Sequence, residues 1–383
     1  MGRRITNKSN KQFKYFLATG FCFIFFGITH TKAEQSQIFT SHPSSSEYVY
    51  SANQASNNLT VYKINVNNGQ LAPVPGSPFS TDQFPVSVAI APSGQFVYVA
   101  NQGSHNISAF SVDTASGTLS AIEGSPFSVD EYPDSIFISP NGQFAYITYE
   151  DENQVNVYPI DPKSGKLSQQ QSSIATGKHP IAVTISPNAR FAFVANYDSN
   201  TVSAYTVDLQ NGMLQKAGTD VHTDEHPIFL KVSHHNRFLY VTNYGSTTVS
   251  VFSIDPATGR LTEIAQSPFT AGSKPYSITL DTHDAFAYVA NWGSHDISGY
   301  RIDNTTGALH ELTQSPFDTD LFPYAVVLNP SEHFAYVINN GSATITAYQF
   351  NIQNGQLTAL PNSPFATSLG PYALAVGTPS RQK

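Results

Sequence analysis

Two imidazoles and an ammonium, those of His179, His226 and Lys274, occupy one equivalent position in three consecutive copies of a repeat 47 or 48 residues long. Each stands immediately before a proline that recurs at Pro85, Pro133, Pro180, Pro227, Pro275, Pro323 and Pro371. An imidazole can activate water, and a nearby ammonium can stabilise the negative charge that develops as water attacks a carbonyl. A second series, Asn53, Asn101, Thr148, Asn196, Asn243, Asn291 and Asn339, is followed by Gln54, Gln102, Tyr149, Tyr197, Tyr244, Trp292 and Asn340. The rings of Tyr149, Tyr197, Tyr244 and Trp292 thus accompany the basic groups, and Asp134, Glu150, Asp151 and Asp198 bring carboxylates to the same arc. Two chemistries suit such a sector. The primary reading is binding of a sugar, an aromatic or cationic small molecule, or a protein loop through Asp134, Tyr149, Glu150, Tyr197, Asp198, Tyr244 and Trp292. The alternative is hydrolysis with His179, His226 and Lys274 as the working groups.

Each of these residues also has a plain structural role open to it. A Tyr after a turn Asn packs on its neighbour, and a His before Pro hydrogen-bonds a carbonyl. The arc is favoured because both irregularities fall on adjacent repeats. Moreover, Ser-Pro-Phe closes five units, at 77–79, 125–127, 267–269, 315–317 and 363–365, but is missing from the two that lead to His179 and His226. Other clusters carry less. His222-Thr223-Asp224-Glu225-His226 matches a zinc-peptidase spacing that requires a helix, yet Pro227 follows at once. His234-His235 falls in a turn on the opposite face, and Glu150-Asp151-Glu152 lacks the carbonyl cage of a calcium site. Neither a metal nor a cofactor is expected.

The repeat itself names the scaffold. Each unit holds four apolar runs of strand length separated by turns, as in Val86 to Ala91, Phe96 to Asn101, Ile107 to Asp113 and Thr118 to Ile122. Phe96-Val97-Tyr98-Val99-Ala100 is apolar at both parities, so that strand is covered on both faces, as when sheets stack around a ring. The fold class is therefore all-β: a seven-bladed β-propeller with four antiparallel strands per blade. The first unit begins in its second strand, at Tyr48-Val49-Tyr50, and the missing strand reappears as Pro371 to Val376, so a C-terminal strand closes the ring onto the N-terminal blade.

The N-terminus is of another kind. Arg3, Arg4, Lys8, Lys11 and Lys14 precede an apolar run from Tyr15 to Ile28, with Thr31-Lys32-Ala33 before Glu34. This is the pattern of a secretory signal peptide. The chain divides into a signal peptide at 1–33, a linker at 34–47, the propeller at 48–376 and a tail at 377–383. The single cysteine, Cys22, lies in the leader, so the chain from Glu34 has neither a disulfide nor a thiol nucleophile. It would carry 13 basic and 27 acidic side chains, a formal charge of −14. Such a surface disfavours nucleic acid and anionic lipid. The expectation is a secreted or periplasmic bacterial protein that is a monomer, free of the membrane once its leader is cleaved.

Tyr-Val-Ala-Asn at 98–101, Phe-Val-Ala-Asn at 193–196, Tyr-Val-Thr-Asn at 240–243 and Tyr-Val-Ala-Asn at 288–291 resemble the repeats of the YVTN-type and lactonase-type propellers. The resemblance spans residues 48–376 and extends to Val249 to Asp255 followed by Gly259 and Leu261. That superfamily includes 6-phosphogluconolactonases and carboxymuconate cyclases, so the resemblance implies that the hydrolytic alternative would act on a lactone or through a related cyclase reaction. Where the gluconolactonase branch carries Pro-His-x-His, Gly-Pro-Arg-His and Asn-Glu, this chain has Pro133-Asp134-Ser135-Ile136, Gly177-Lys178-His179-Pro180 and Asn196-Tyr197. With that cationic set missing, an unphosphorylated lactone is implied.

Overall fold

The computed structural model describes residues 46–130 and 132–379. The leader, most of the linker and the end of the tail lie outside the described residues. Seven antiparallel sheets are present. In the second blade the order from the centre outward is Pro85–Ile90, Phe96–Asn101, Asn106–Val112 and Leu119–Ala121, and a two-residue strand, Phe127–Ser128, also pairs with the third strand. Closure occurs where the missing strand is predicted. Pro371–Gly377 pairs antiparallel with Tyr48–Asn53, from Tyr48↔Gly377 to Asn53↔Pro371.

The second strand of every blade is buried at all six positions, from Tyr48–Asn53 to Phe334–Asn339. Both of its faces pack on neighbours, and each apolar cluster joins two adjacent blades. Tyr98 and Ile107 of the second blade, for example, meet Ile136 and Ile147 of the third. Polar latches cross the same seams. Tyr98 donates its hydroxyl to the Gly165 carbonyl at 2.8 Å, Tyr146 to Gly212 at 2.9 Å, and Tyr336 to Gly69 at 2.8 Å. The accepting glycines sit in Asx turns. At the equivalent Gly117, φ is +78° and an added Cβ would lie 2.1 Å from the Tyr48 ring, so no other residue fits. Ser-Pro-Phe is part of this scaffold too, because its serine oxygen accepts a third-strand N–H, as from Val61 to Ser77 at 2.9 Å and from Ala109 to Ser125 at 2.8 Å.

One backbone device builds the rim of the ring. The residue before each repeat proline is left-handed, with φ of +53° at Phe84, +52° at Tyr132, +56° at His179, +52° at His226, +52° at Lys274, +56° at Phe322 and +67° at Gly370. For the six that are not glycine this costs on the order of 1 kcal/mol each. Hydrogen bonds offset the cost. The His179 N–H donates to the Asn153 side chain and its carbonyl accepts the Tyr197 N–H, both at 2.8 Å; His226 is held likewise by Asn200 and Tyr244. The same carbonyl bond ties Lys274 to Trp292, Phe84 to Gln102, Phe322 to Asn340 and Gly370 to Gln54, while in the third blade the Glu150 N–H turns to the Asp134 carboxyl instead.

Candidate functional site

The third blade departs from the predicted alignment by one residue. Pro133 faces Tyr149 across the sheet, just as Pro85 faces Asn101 and Pro180 faces Asn196, so the ladder position is Tyr149 rather than Thr148. Tyr149 is therefore inside the blade, fully buried, with its hydroxyl 2.9 Å from that of Tyr158. The expectation that it lines the face is corrected, and its place on the rim is taken by Glu150.

Apart from Asp134, which lies further in, the other expected residues lie around the rim, as a chain of contacts rather than a convergent set. Glu150 Oε2 is 2.5 Å from His179 Nε2, and Asp198 lies 3.4 Å from the His179 Nδ1. With a carboxylate at each nitrogen, this imidazole has no ring nitrogen left open to an incoming water. Tyr197 comes next, with its ring 5.4 Å from His179 and stacked on His226 at 4.3 Å and 7°. Lys274 is exposed and holds its ammonium 5.3 Å from the centre of the Tyr244 ring and 4.9 Å from that of Trp292. This is cation–π geometry. Trp292 in turn stacks on Phe322 at 4.7 Å.

Inside the rim lies a second ring, made by the residue after each repeat proline. It consists of Val86, Asp134, Ile181, Ile228, Tyr276, Tyr324 and Tyr372, all lining a central channel of about 490 Å³. Three tyrosines occupy one side. Tyr276 and Tyr324 have ring centres 4.4 Å apart, Tyr324 and Tyr372 4.9 Å, and Tyr276 donates its hydroxyl to Tyr372 at 2.8 Å. Tyr244 joins the inner aromatics to the rim, with its ring 5.9 Å from that of Tyr276 and 6.1 Å from that of Trp292. Asp134 stands on the other side and is almost fully buried. Its carboxylate accepts from the Gln102 side chain at 2.7 Å and from the Glu150 N–H at 3.2 Å. Burial, together with the charge of Glu150, nevertheless pushes its pKa up to about 8. Tyr372 is pushed up to about 12 by burial, and the carboxylates of Asp134 and Glu150 are close enough to contribute. An acidic wall and an aromatic wall thus face each other across the mouth.

Tyr276, Tyr324 and Tyr372 are absent from the sequence expectations, although the signal is present in the chain: the residue after each repeat proline is aromatic in these three units alone. The discounted clusters behave as structure. His222 belongs to the strand Val221–His222, not to a helix. His234 and His235 grip Asp284 of the next blade at 3.1 and 2.7 Å, on the opposite face. Asp281, His283 and Glu332 also approach one another there, but Asp281 Oδ1 caps the Ala285 and Phe286 N–H groups and Glu332 Oε1 accepts from Thr282.

The family model for "Lactonase, 7-bladed beta-propeller" matches residues 27–133, 125–231 and 229–320, and the chain belongs to that family. Solved structures agree on the fold. A Bacteroides uniformis protein assigned provisionally as a 6-phosphogluconolactonase superposes with a TM-score of 0.75 at 17% identity, over 87% of this chain and 100% of that one. Its counterpart from Bacteroides fragilis gives 0.75 at 18%, over 88% and 99%. The periplasmic gluconolactonase PpgL of Pseudomonas aeruginosa gives 0.73 at 19% identity, over 86% and 98%. Comparison with curated protein sequences finds no match.

Proposed function

We propose that the mouth of the channel binds a small, uncharged, polyhydroxylated ring of the sugar or sugar-lactone class, in a protein exported by the leader at 1–33. The observation that carries this reading is the opposition of Tyr276, Tyr324 and Tyr372 to Asp134 and Glu150. Aromatic faces accept the C–H side of such a ring, and carboxyl groups take its hydroxyls. A phosphorylated ligand is disfavoured, because Lys274 is turned onto Tyr244 and Trp292 and no arginine lines the channel among the described residues.

Trp292 is the only tryptophan and reaches the inner aromatics through Tyr244, so ligand entry reads out in its fluorescence. Titration with glucose and glucono-δ-lactone should give saturable changes. Tyr244→Ala, which removes one support of the aromatic wall, should weaken binding about three- to tenfold. A flat response to both sugars would overturn the proposal.

A second reading, hydrolysis of the lactone, is favoured by one observation, the Asp134 carboxyl held near pH 8. A group titrating there can take a proton from water as it attacks the ring carbonyl and return it to the departing ring oxygen, so that lactone and water become the hydroxy acid. His226, whose ring makes no hydrogen bond among the described residues, stands nearby on the rim as a second base, and Lys274 as the cation that would stabilise the oxyanion. Acid release followed in a pH-stat separates the readings. Hydrolysis requires turnover that Asp134→Asn lowers about a hundredfold with little change in Trp292 titration, whereas pure binding gives none above the spontaneous rate.

A further inference from the structure

Below the mouth, the channel holds one cation. Lys231 lies in the strand Pro227–Val232 and lines the channel three residues deeper than the ring of Asp134, about 10 Å along the strand direction. The equivalent residues of the other blades are Ala89, Phe137, Thr184, Thr279, Val327 and Ala375, none of them charged. Asp134 and Lys231 are the two charge-bearing side chains, apart from tyrosines, that line this cavity among the described residues. The walls between them are mainly apolar, and Phe229 leaves 37% of its surface uncovered there.

The Lys231 amine makes no hydrogen bond and no ion pair among the described residues. The carboxylate whose charge reaches it, Asp284, is already engaged by His234 and His235. An ammonium half-buried between apolar walls without a partner is costly, and desolvation pulls this lysine below its usual range. An acceptor placed in the channel would relieve that cost. We infer that the channel is a second binding site, for an amphipathic monoanion whose carboxylate meets Lys231 and whose aliphatic or aromatic body fills the apolar space around Phe229. A single amine matches one negative charge, and the apolar walls exclude a sugar-like body. The site is independent of the sugar reading of the mouth.

Calorimetric titration of the full chain with octanoate and with 1-octanol, which shares the body but not the charge, tests this. Octanoate should bind at one saturable site. Lys231→Met should weaken it about ten- to a hundredfold, the effect of deleting one charge-assisted hydrogen bond in an enclosed site. Octanol binding should be unchanged by Lys231→Met, and Lys231→Arg, which keeps the cation, should retain most octanoate affinity. Removing an unpaired, half-buried cation is not expected to lower the melting temperature, so loss of fold is not a rival explanation, and circular dichroism checks this. Equal octanoate affinity in the wild type and Lys231→Met, or no saturable octanoate binding to the wild type, overturns the inference.

Discussion

Asp134→Asn is the most informative single substitution, because it acts on stability through a group whose environment is fully specified. An ordinary Asp carboxyl loses its proton near pH 4, whereas that of Asp134 keeps it to about pH 8, driven by burial and then by Glu150. Below about pH 4 both the folded and unfolded states carry the proton. Between about 4 and about 8 only the folded state does, so stability falls by about 1.4 kcal/mol for each pH unit. At pH 7 the accumulated loss is roughly three units, on the order of 4 kcal/mol. Asparagine has the same shape without the charge. It still accepts the Glu150 N–H, and Gln102 can turn its amide to present oxygen to the new Nδ2. The variant should therefore match the wild type near pH 4 and melt about 6 °C higher at pH 7, the shift appropriate to a domain of this size. Thermal unfolding by circular dichroism at pH 4, 5.5, 7 and 8.5 gives the profile. Parallel curves for the two proteins, with no gap that widens from pH 4 to pH 8, would refute the buried protonated carboxyl and with it the proton-transfer role offered for Asp134.

Three further outcomes follow from the scaffold. Deleting Gly370–Lys383 removes the strand that closes the first blade, and should lower the melting temperature by well over about 10 °C, because the two seams beside that blade open together; a melt within a few degrees of the intact protein would count against closure as a stabilising device. Tyr336→Phe strands the buried Gly69 carbonyl and should cost about 1–3 kcal/mol in denaturant unfolding, with an unchanged slope against denaturant concentration. N-terminal sequencing of the exported protein should begin close to Glu34, and an intact leader in the membrane fraction would mean that the apolar run is retained as an anchor.

The architecture was readable because blade packing imposes the same residue types seven times. A strand covered on both faces is apolar at both parities, and Phe96–Asn101 and Phe286–Asn291, apolar up to their closing asparagines, show that in their sequences as plainly as in their burial. The site was readable only where a position departs from its six equivalents, and only if the equivalence was drawn correctly. Polarity aligns Thr148 with the asparagines, whereas the pairing of Pro133 with Tyr149 makes Tyr149, 48 residues after Asn101 and 47 before Asn196, the true counterpart. The polarity alignment therefore puts a core tyrosine on the rim and leaves Glu150 one step out of register.

Asp134 illustrates a deeper limit. Its type and position are visible in the chain, but its protonation is not, since that depends on Gln102 from one blade, Glu150 from the hairpin of its own, and the depth at which the channel encloses it. The same holds for Lys231, which reads as one more polar residue in a strand until the ring closes around it. In a repeat fold, then, departures from the repeat identify which residues face the axis with something to do. What they do is decided by neighbours far away in the sequence, as Asp134 is 32 residues from Gln102 and Lys231 lies in a different blade from Asp284. For this chain the two departures are an acid held protonated at the mouth and a base deeper in the same channel, and that is why the mouth and the interior are assigned different ligands.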